Sequence, residues 1–485
     1  MVIESLKYKI LQQFGFAPTQ EQGQALDTFV SFLTDHDPQA VMILRGSAGT
    51  GKTSLSGAIV RTLLQIRQKV MLLAPTGRAA KVFSLGSGAP AYTIHRRIYR
   101  EKAFAGVDGQ FSLNDNLYTD TLFMVDEASM IANMGLGGTT FGSGCLLDDL
   151  VKFVYQGHND RLLLIGDKAQ LPPVGEEESP ALSASVMEGY GLKVYECDLN
   201  EVLRQSQSSG ILYNATLIRQ MITHDAVTGL PLIRFKGFAD IVMMPGAELV
   251  ESLGDSYHHV GMDETMVITR SNKRANIYNN GIRNMVLDRE EELSSGDMLM
   301  IVKNNYFWTE KEKKESGEES AGAVPAFLAN GDRAKVLRVS NYIELYGFRF
   351  ATLLLQLPDY DDYEMQVTGM LDTLQSEAPA LTHEQQEELF RQVEEDYQHF
   401  VPLKADRMKS IRQDAYFNAL QIKYAYAVTC HKAQGGQWAH VYVDQGYMTD
   451  DMLTPDYIHW LYTAFTRATE KLYLVNWPET QTATS

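Results

Sequence analysis

The chain has 485 residues, 45% of them apolar and 21% charged, which is the composition of an ordinary globular protein. Its length exceeds the size at which single cores divide, so we expect about two to four domains. No apolar run is long enough to span a bilayer, the first residues lack the layout of a signal peptide, and the three cysteines stand far apart. These features argue against a membrane protein, a disulfide framework and a zinc centre, and they favour a cytoplasmic location.

The formal net charge is −18 at pH 7, which argues against a uniformly basic nucleic-acid-binding surface. Net charge describes the whole surface, however, whereas binding depends on a local patch. The acidic balance therefore lowers the expectation of a nucleic-acid partner without excluding one.

A phosphate-binding pattern, GSAGTGKT, occupies residues 46–53 between an apolar run and a segment with helical patterning that opens at Ser54. Strand, glycine-rich turn and helix in this order are typical of a P-loop, whose backbone N–H groups and helix N-terminus cradle phosphates. We expect Lys52 to reach the β- and γ-phosphates and the Thr53 hydroxyl to hold Mg²⁺. The glycines that shape the turn are Gly46, Gly49 and Gly51. The chain therefore binds a nucleoside triphosphate.

Two adjacent carboxylates, Asp126 and Glu127, end a second apolar strand at 121–125. Neighbouring parallel strands bring their ends to the same edge of a sheet, so these acids should meet the nucleotide. Asp126 would support Mg²⁺ and Glu127 would polarise the attacking water. Gln170 follows a third buried strand and stands where a side chain could sense the γ-phosphate.

Two further residues have alternative interpretations. Gln22 follows Thr19 at the position of a capping box, and it could equally read an adenine edge with its amide. Arg204 could be a surface residue, or it could sit in an interdomain cleft and stabilise transition-state charge.

A basic and aromatic segment at 92–100 has the composition of a surface that tracks a nucleic-acid backbone and stacks bases. On composition alone a solvated helix face is the stronger interpretation. Residues 101–120 follow, and an Asp-Gly pair between apolar positions predicts a β-hairpin there. Its aromatic residues could stack on a base or only pack the hairpin.

The second half restarts the alternation of strands and helices with a strand at 265–269. Residues 309–322 are charged and contain serine and glycine, and we predict a loop for them. Short alternating runs from 334 to about 366 predict a small antiparallel β module. The acidic stretch at 382–399 predicts a solvated helix face. Near the end come a strand entering a basic loop at 425–436 and a helix carrying Arg467.

Taken in order, these segments resemble the motif series of superfamily 1 helicases, and in particular the B-branch RecD/Dda-like DNA helicases. The resemblance covers nearly the whole chain. The segments that carry it are APTGRAA at 74–80, TIH at 93–95, DEASM at 126–130, GDKAQLPP at 166–173, EVLRQ at 201–205, TCHKAQG at 429–435 and YTAFTRA at 462–468.

The resemblance implies ATP and Mg²⁺ as cofactors, single-stranded DNA and duplex junctions as partners, a monomer, and no membrane association. The catalytic residues that it implies are Lys52, Glu127, Gln170, Arg204 and Arg467. The nucleotide contacts are Gln22, Gly46, Gly49, Gly51, Lys52, Thr53, Ser54 and Gly435, with Thr53 and Asp126 at the metal. The nucleic-acid contacts are Pro75, Thr76, Thr93, His95, Asn272, Asn304, Thr429, His431 and Lys432. Gln437 departs from the pattern, because many relatives carry Glu there, so the resemblance assigns no ribose contact to this position.

The expected fold is α/β, with two RecA-like P-loop motor domains, a small β-hairpin insertion and a small β-barrel insertion. The expected domains are 1–205 with a pin-like hairpin at 101–120, then 206–333 with 417–485, and an inserted barrel module at 334–416. The expected activity is ATP-dependent movement 5′ to 3′ on single-stranded DNA with unwinding of duplex. An ATPase that translocates or strips proteins without efficient unwinding, a non-catalytic motor-fold subunit and an RNA substrate stay open.

Overall fold

The computed structural model describes residues 2–105, 108–135, 142–201, 208–223, 229–320, 324–325 and 327–483. Contacts within the chain divide it into two compact units, Met1–Met244 with Ala433–Ser485 and Pro245–Lys432. Among the described residues, no helix combines the length and apolarity that crossing a membrane requires. The motor-domain boundaries expected from the sequence stay predictions.

The helices, in chain order, are α1 Val2–Phe14, α2 Gln20–Leu33, α3 Lys52–Gln65, α4 Gly77–Ser87, α5 Ile94–Ile98, α6 Leu146–Gln156, α7 Ala184–Gly189, α8 Gly210–Thr223, α9 Leu249–His259, α10 Asn272–Gly281, α11 Phe307–Ser320, α12 His383–Gln398, α13 Lys404–Arg412, α14 Cys430–Ala433 and α15 Pro455–Phe465.

The strands are β1 Ala40–Gly46, β2 Lys69–Ala74, β3 Ala91–Thr93, β4 Tyr99–Ala105, β5 Asp108–Leu113, β6 Thr121–Val125, β7 Arg161–Gly166, β8 Lys193–Leu199, β9 Ile241–Met244, β10 Thr265–Thr269, β11 Met298–Ile301, β12 Arg333–Leu345, β13 Phe348–Leu357, β14 Tyr363–Met370, β15 Leu420–Tyr424, β16 Ala427–Thr429, β17 Trp438–Asp444 and β18 Ala468–Val475.

The first unit contains a parallel six-stranded sheet in the order β3-β2-β6-β7-β1-β8. Strands β1, β6 and β7 are buried along their whole length, because helices cover both faces. Successive side chains of a strand point to opposite faces, so Met42 and Leu44 enter one core cluster while Val41 and Ile43 enter the other. The same unit holds a second parallel group in which β18 pairs with both β17 and β9.

The predicted hairpin forms from β4 and β5, which pair antiparallel. Its strands begin at Tyr99 and end at Leu113, and the two residues that join them lie outside the described part of the chain. Phe111 and Tyr118 are partly buried against the core cluster on that side of the large sheet. These two aromatic side chains therefore pack the base of the hairpin.

The second unit contains a closed barrel of strands β11 to β15 and a parallel pair, β10 with β16. The β module predicted from residue 334 is present, but β11 and β15 close it from outside 334–416. Three antiparallel strands leave two edges unpaired, and the flanking strands remove both of them. Helix α12 buries Leu389 and Val393 over the barrel, while most of its acidic side chains are exposed, as the sequence predicts.

The loop predicted for 309–322 is wrong for most of its length, because α11 runs from Phe307 to Ser320. The segment reads KEKKESGEES after residue 310, and its glutamates and lysines are good helix formers. Its buried Trp308 donates from the indole nitrogen to the carbonyl of Asn418 at 2.9 Å and anchors the first turn.

Candidate nucleotide-binding site

The glycine-rich turn has the geometry of a phosphate-binding loop. Gly51 has φ +81°, a left-handed conformation that side chains rarely adopt, and α3 begins at the next residue. A Cβ on Gly46 would lie 2.8 Å from Cγ of Lys52 and 2.9 Å from the Thr50 hydroxyl. Lys52 donates from Nζ to the carbonyls of Gly46 and Ser47, the latter at 3.0 Å. The turn therefore depends on glycine for close packing around the lysine.

A cavity of about 380 Å³ opens over this turn, and its lining belongs entirely to the first unit. Most of the residues predicted for nucleotide, metal and catalysis line it. They are Gly49, Gly51, Lys52, Thr53, Ser54, Asp126, Glu127, Gln170, Gly435 and Arg467. The ends of β1, β6 and β7 bring the first members of this set together, since parallel strands end at one edge of the sheet.

Gln170 connects the catalytic carboxylate with the arginine near the C-terminus. With its amide nitrogen towards Glu127, it donates to Glu127 Oε2 at 3.1 Å and accepts from Arg467 Nη2 at 3.1 Å. The opposite orientation would place oxygen against oxygen and nitrogen against nitrogen. The three side chains therefore form a continuous hydrogen-bonded line inside the cavity.

Asp126 and Glu127 have different surroundings although they are neighbours. Burial and the adjacent Glu127 carboxylate raise the pKa of Asp126 to about 7, while Lys52 acts in the opposite direction. The amide N–H of Glu127 donates to Asp126 Oδ1 at 2.9 Å, and Glu127 itself has φ +52°. A left-handed conformation is uncommon outside glycine and is often found at functional sites.

Arg467 is buried at 2% exposure and fixed by backbone carbonyls. Its Nε donates to Thr463 O and its Nη1 donates to Gly436 O, both at 3.1 Å. These bonds aim the guanidinium at Gln170 from the end of α15. The buried arginine therefore has a defined direction towards the carboxylate side of the cavity.

Sequence reasoning missed three side chains at this site. Tyr462 contacts both the P-loop and Asp167, with its hydroxyl 2.9 Å from the nitrogen of Ala48 and 2.6 Å from Asp167 Oδ2. Arg219 of α8 donates to the Ser47 hydroxyl of the P-loop. Tyr462 and Asp167 lie inside quoted motifs and could have been singled out, whereas nothing around Arg219 distinguished it from a surface residue.

Gln22 is buried and forms the predicted capping box. Its backbone N–H donates to the Thr19 hydroxyl at 3.2 Å, and its Oε1 accepts from the Thr19 N–H at 3.0 Å. Its Nε2 donates to the carbonyl of Thr50 in the P-loop at 2.9 Å. The cap is thus confirmed, and the adenine contact stays a prediction.

The predicted nucleic-acid contacts of the first unit lie at the ends of its strands. Pro75 follows β2, and the hydroxyls of Thr76 and Thr93 cap α4 and α5 at 3.2 and 3.3 Å from the Ala79 and Arg96 nitrogens. His95 is half-buried, and burial lowers its pKa to about 4, so the imidazole is neutral at pH 7.

Several residues of the second unit that are predicted to contact nucleic acid form hydrogen bonds within the protein. Asn272 donates to the carbonyl of Glu377 at 3.1 Å, and Asn304 Oδ1 accepts from the N–H of Asn330 at 2.7 Å. Lys432 donates to Asn330 Oδ1, and burial followed by the charge of Lys423 lowers the pKa of Lys432 to about 8.

Thr429 ends β16 and is half-buried, and the next predicted contact, His431, is exposed in α14. Arg204 lies outside the described residues, so its role stays a prediction. Gln437 lines the cavity with an exposed side chain, and its carbonyl accepts from Arg78 at 2.7 Å.

Two parts of the chain match models of known protein families. An AAA domain model matches residues 17–229 and a UvrD-like helicase C-terminal domain model matches residues 424–475, so together they span more than half of the chain. These matches support the assignment of the chain to the RecD/Dda-like superfamily 1 helicases. Its P-loop and carboxylates lie in the first match, and Arg467 lies in the second.

Individual relatives agree with this assignment. The ATP-dependent RecD2 DNA helicase of Deinococcus radiodurans is 31% identical over 157 residues, which are 32% of this chain and 18% of the relative. The ATP-dependent DNA helicase dda of Enterobacteria phage T4 is 25% identical over 267 residues, 53% of this chain and 55% of the relative. The chain thus spans less than two thirds of either relative.

A solved structure, Pif1 helicase from Candida albicans, matches 97% of both chains with a TM-score of 0.40 and 17% identity. The assignment rests on the sequence matches and on the fold of the chain itself. That fold is the predicted α/β architecture, with P-loop sheet, hairpin and closed β-barrel.

Proposed function

We propose that this protein is an ATP-dependent DNA helicase that moves 5′ to 3′ along single-stranded DNA and unwinds duplex. The observation that carries the proposal is the line from Glu127 through Gln170 to Arg467 in the same cavity as Lys52. It joins a candidate base, a sensor and a cation in one pocket. Such a set is what hydrolysis of a γ-phosphate requires.

The P-loop side of the cavity would bind the triphosphate. The backbone around Gly46, Gly49 and Gly51 curls round the phosphates, with Ser54 and Gly435 at the rim, and Lys52 exchanges its carbonyl partners for phosphate oxygens. Gln22 would contact the base directly, or it would support the nucleotide site indirectly by holding Thr50 of the P-loop in place.

Thr53 and Asp126 both line the cavity and offer oxygen ligands for a magnesium ion. When bound, such an ion would neutralise part of the phosphate charge. Asp126 is a desolvated carboxylate beside a second carboxylate, so a divalent cation would relieve the unfavourable charge that raises its pKa. Mg²⁺ commonly takes only one or two protein oxygens together with phosphates and waters.

Hydrolysis would depend on Glu127 as the base that orients and polarises water. Gln170 would hold this carboxylate in position and would also hold Arg467 through a second hydrogen bond, so that Arg467 faces the γ-phosphate. Arg204 would supply a second cation, a role supported by the resemblance of 201–205 alone.

The protein would grip the sugar–phosphate backbone of the nucleic acid, and the bases would stack on aromatic side chains. Local positive charge is present beside Tyr92, because the Arg97 and Arg96 guanidinium carbons lie 3.7 and 5.0 Å from its ring centroid. The DNA substrate is supported by the names of the RecD2 and dda DNA helicases, whereas the polarity rests on the motif resemblance alone. The contact residues proposed are Pro75, Thr76, Thr93, His95, Asn272, Asn304, Thr429, His431 and Lys432, with the hairpin at the duplex junction.

A strand-displacement assay on duplexes with a 5′ tail or a 3′ tail tests the proposal. We expect ATP-dependent unwinding of the 5′-tailed duplex and little of the 3′-tailed one. ATPase stimulation by matched DNA and RNA oligonucleotides then compares the two sugars. Unwinding from the 3′ tail alone would contradict the polarity, and stimulation by RNA alone would contradict the substrate.

Lys52→Ala is the control for the motor itself. We expect it to abolish ATP hydrolysis and unwinding, because no other side chain of the P-loop carries a positive charge to the phosphates. An unchanged ATPase rate would favour a non-catalytic role for the fold. DNA-stimulated ATPase without strand displacement on either substrate would favour a translocase that strips proteins from DNA.

A further inference from the structure

The hydroxyl of Tyr462 joins two parts of the site that are far apart in sequence. It accepts the backbone N–H of Ala48 at 2.9 Å and donates to Asp167 Oδ2 at 2.6 Å. The tyrosine is 1% exposed and Asp167 is 3% exposed, so water does not replace either bond. A single buried hydroxyl therefore fixes a P-loop peptide against the carboxylate that follows β7.

The helix of Tyr462 also holds the segment that carries Gln170. The Thr463 hydroxyl of α15 accepts from the backbone N–H of Leu171 at 2.8 Å, and Gln434 Nε2 donates to the carbonyl of Leu171 at 2.7 Å. Asp167 Oδ1 accepts from the N–H of Ala169 at 3.0 Å, which closes the turn between the carboxylate and Gln170. Movement of this segment would therefore be resisted at both of its ends.

We infer that Tyr462 is a positioning residue for ATP hydrolysis, whose hydroxyl couples the P-loop peptide at Ala48 to the segment 167–171 and so to Gln170. The inference rests on the proposed ATPase function. Ala48 and Asp167 both line the cavity, and Gln170 reaches Glu127 and Arg467 from the coupled segment. The hydroxyl sets the distance between the phosphate-binding turn and the groups that act on the γ-phosphate.

Tyr462→Phe tests this role, because it keeps the buried ring and removes only the hydroxyl. We expect kcat for ATP to fall about tenfold or more while KM changes less than about threefold, since a positioning contact acts mainly in the transition state. Tyr457→Phe is the matched control. Tyr457 is buried on the same helix, and its hydroxyl donates to Gln445, outside the cavity lining. Its kcat should stay within about twofold of the wild-type value.

A double-mutant cycle with Asp167→Asn separates coupling from general damage. If Tyr462 acts through Asp167, the double variant should be no slower than the slower single variant. Independent, multiplying losses would overturn the inference, and so would a wild-type kcat for Tyr462→Phe. Should that variant fail to fold, Asp167→Asn alone must lower kcat with little change in KM, and a wild-type rate would overturn the inference.

An inactive wild-type enzyme would contradict the proposed function itself. An active wild type with an equally active Tyr462→Phe would contradict only the role of the tyrosine. The two failures are thus distinguished by the first measurement of the series.

Discussion

Glu127 is the residue on which hydrolysis should depend most directly. Replacement by Gln keeps the size and the contact with Gln170 but removes the carboxylate that polarises water. We expect the ATPase kcat to fall by about 100-fold or more, as loss of a general base usually does. Affinity for a fluorescent ATP analogue should stay within about threefold, because Lys52 and the P-loop are intact. Steady-state ATPase rates and a fluorescence titration measure the two quantities, and a kcat near the wild-type value would contradict the assignment.

Asp332 is a buried carboxyl outside the nucleotide site. Burial raises its pKa to about 7 from an ordinary value of 3.8, against hydrogen bonds from the Tyr360 hydroxyl at 2.6 Å and the Ala329 N–H at 2.7 Å. Its Oδ1 has no hydrogen-bond partner among the described residues. The folded protein therefore favours the neutral acid, whereas the unfolded chain releases its proton near pH 4.

Asp332→Asn should therefore change how stability depends on pH. As pH rises from about 4 to about 7 the unfolded state loses the proton first, so the wild-type free energy of unfolding falls by up to about 4 kcal/mol. Asn is neutral throughout, so the variant should match the wild type near pH 4 and exceed it at pH 8. Urea unfolding followed by tryptophan fluorescence at both pH values measures this. Glu364→Gln, at an exposed position of β14, should leave the wild-type dependence unchanged. If the free energy of unfolding of Asp332→Asn depended on pH as that of the wild type does, the raised pKa of Asp332 would be contradicted.

The residues of the nucleotide site could be predicted from the sequence because each belongs to a short motif with characteristic spacing. Lys52, Asp126, Glu127 and Arg467 follow strands or helices whose ends meet in one cavity. Arg219 was not predictable, because its bond to Ser47 depends on the placement of α8, which no local pattern determines. Arg204 was expected from its motif, and it stays a prediction.

At the scale of elements, ATP affinity should be more sensitive to an added methyl group in the P-loop turn than at a glycine position that faces open space. A Cβ on Gly46 would meet the Lys52 side chain at 2.8 Å, so Gly46→Ala displaces the lysine that reaches the phosphates. We expect ATP affinity to fall by about tenfold or more, equivalent to about 1.4 kcal/mol. Gly189→Ala, at the end of α7 with no atom within 4 Å, should bind like the wild type. Isothermal titration of both variants compares them, and equal affinities would show that the turn tolerates the methyl group.

Elements with buried parallel strands were predictable, whereas those that depend on distant partners were not. The strands at 41–44, 121–125 and 161–166 each contain four consecutive apolar residues, a pattern that favours a buried strand. By contrast, β11 and β15 are short strands that gain their role by closing a barrel with strands far along the chain. The serine and glycine residues of α11 predict a loop, whereas its glutamates and lysines favour a helix. The contact that anchors the helix, at Asn418, is over a hundred residues away in sequence.

For the molecule as a whole, the net charge of −18 and a nucleic-acid substrate are compatible if the charges are segregated. Helix α12 exposes many of its acids over the barrel of the second unit, while Arg96 and Arg97 stand over the Tyr92 ring in the first unit. Affinity for a strand depends on the phosphates that local cations neutralise, and each such contact on a single strand contributes about −0.7 to the slope of log K against log salt.

Arg96→Gln should therefore weaken binding to single-stranded oligonucleotides of different sequence to a similar degree. It should also make the salt slope less steep by about 0.7, because one phosphate contact is lost. Arg391→Gln is the matched control, since this arginine is exposed on α12 and paired with Glu388 at 2.5 Å in the acidic region. Fluorescence anisotropy over a series of salt concentrations measures the slope. If Arg96→Gln and Arg391→Gln change it equally, binding responds to net charge, and the basic and aromatic segment at 92–100 is not the surface that holds the strand.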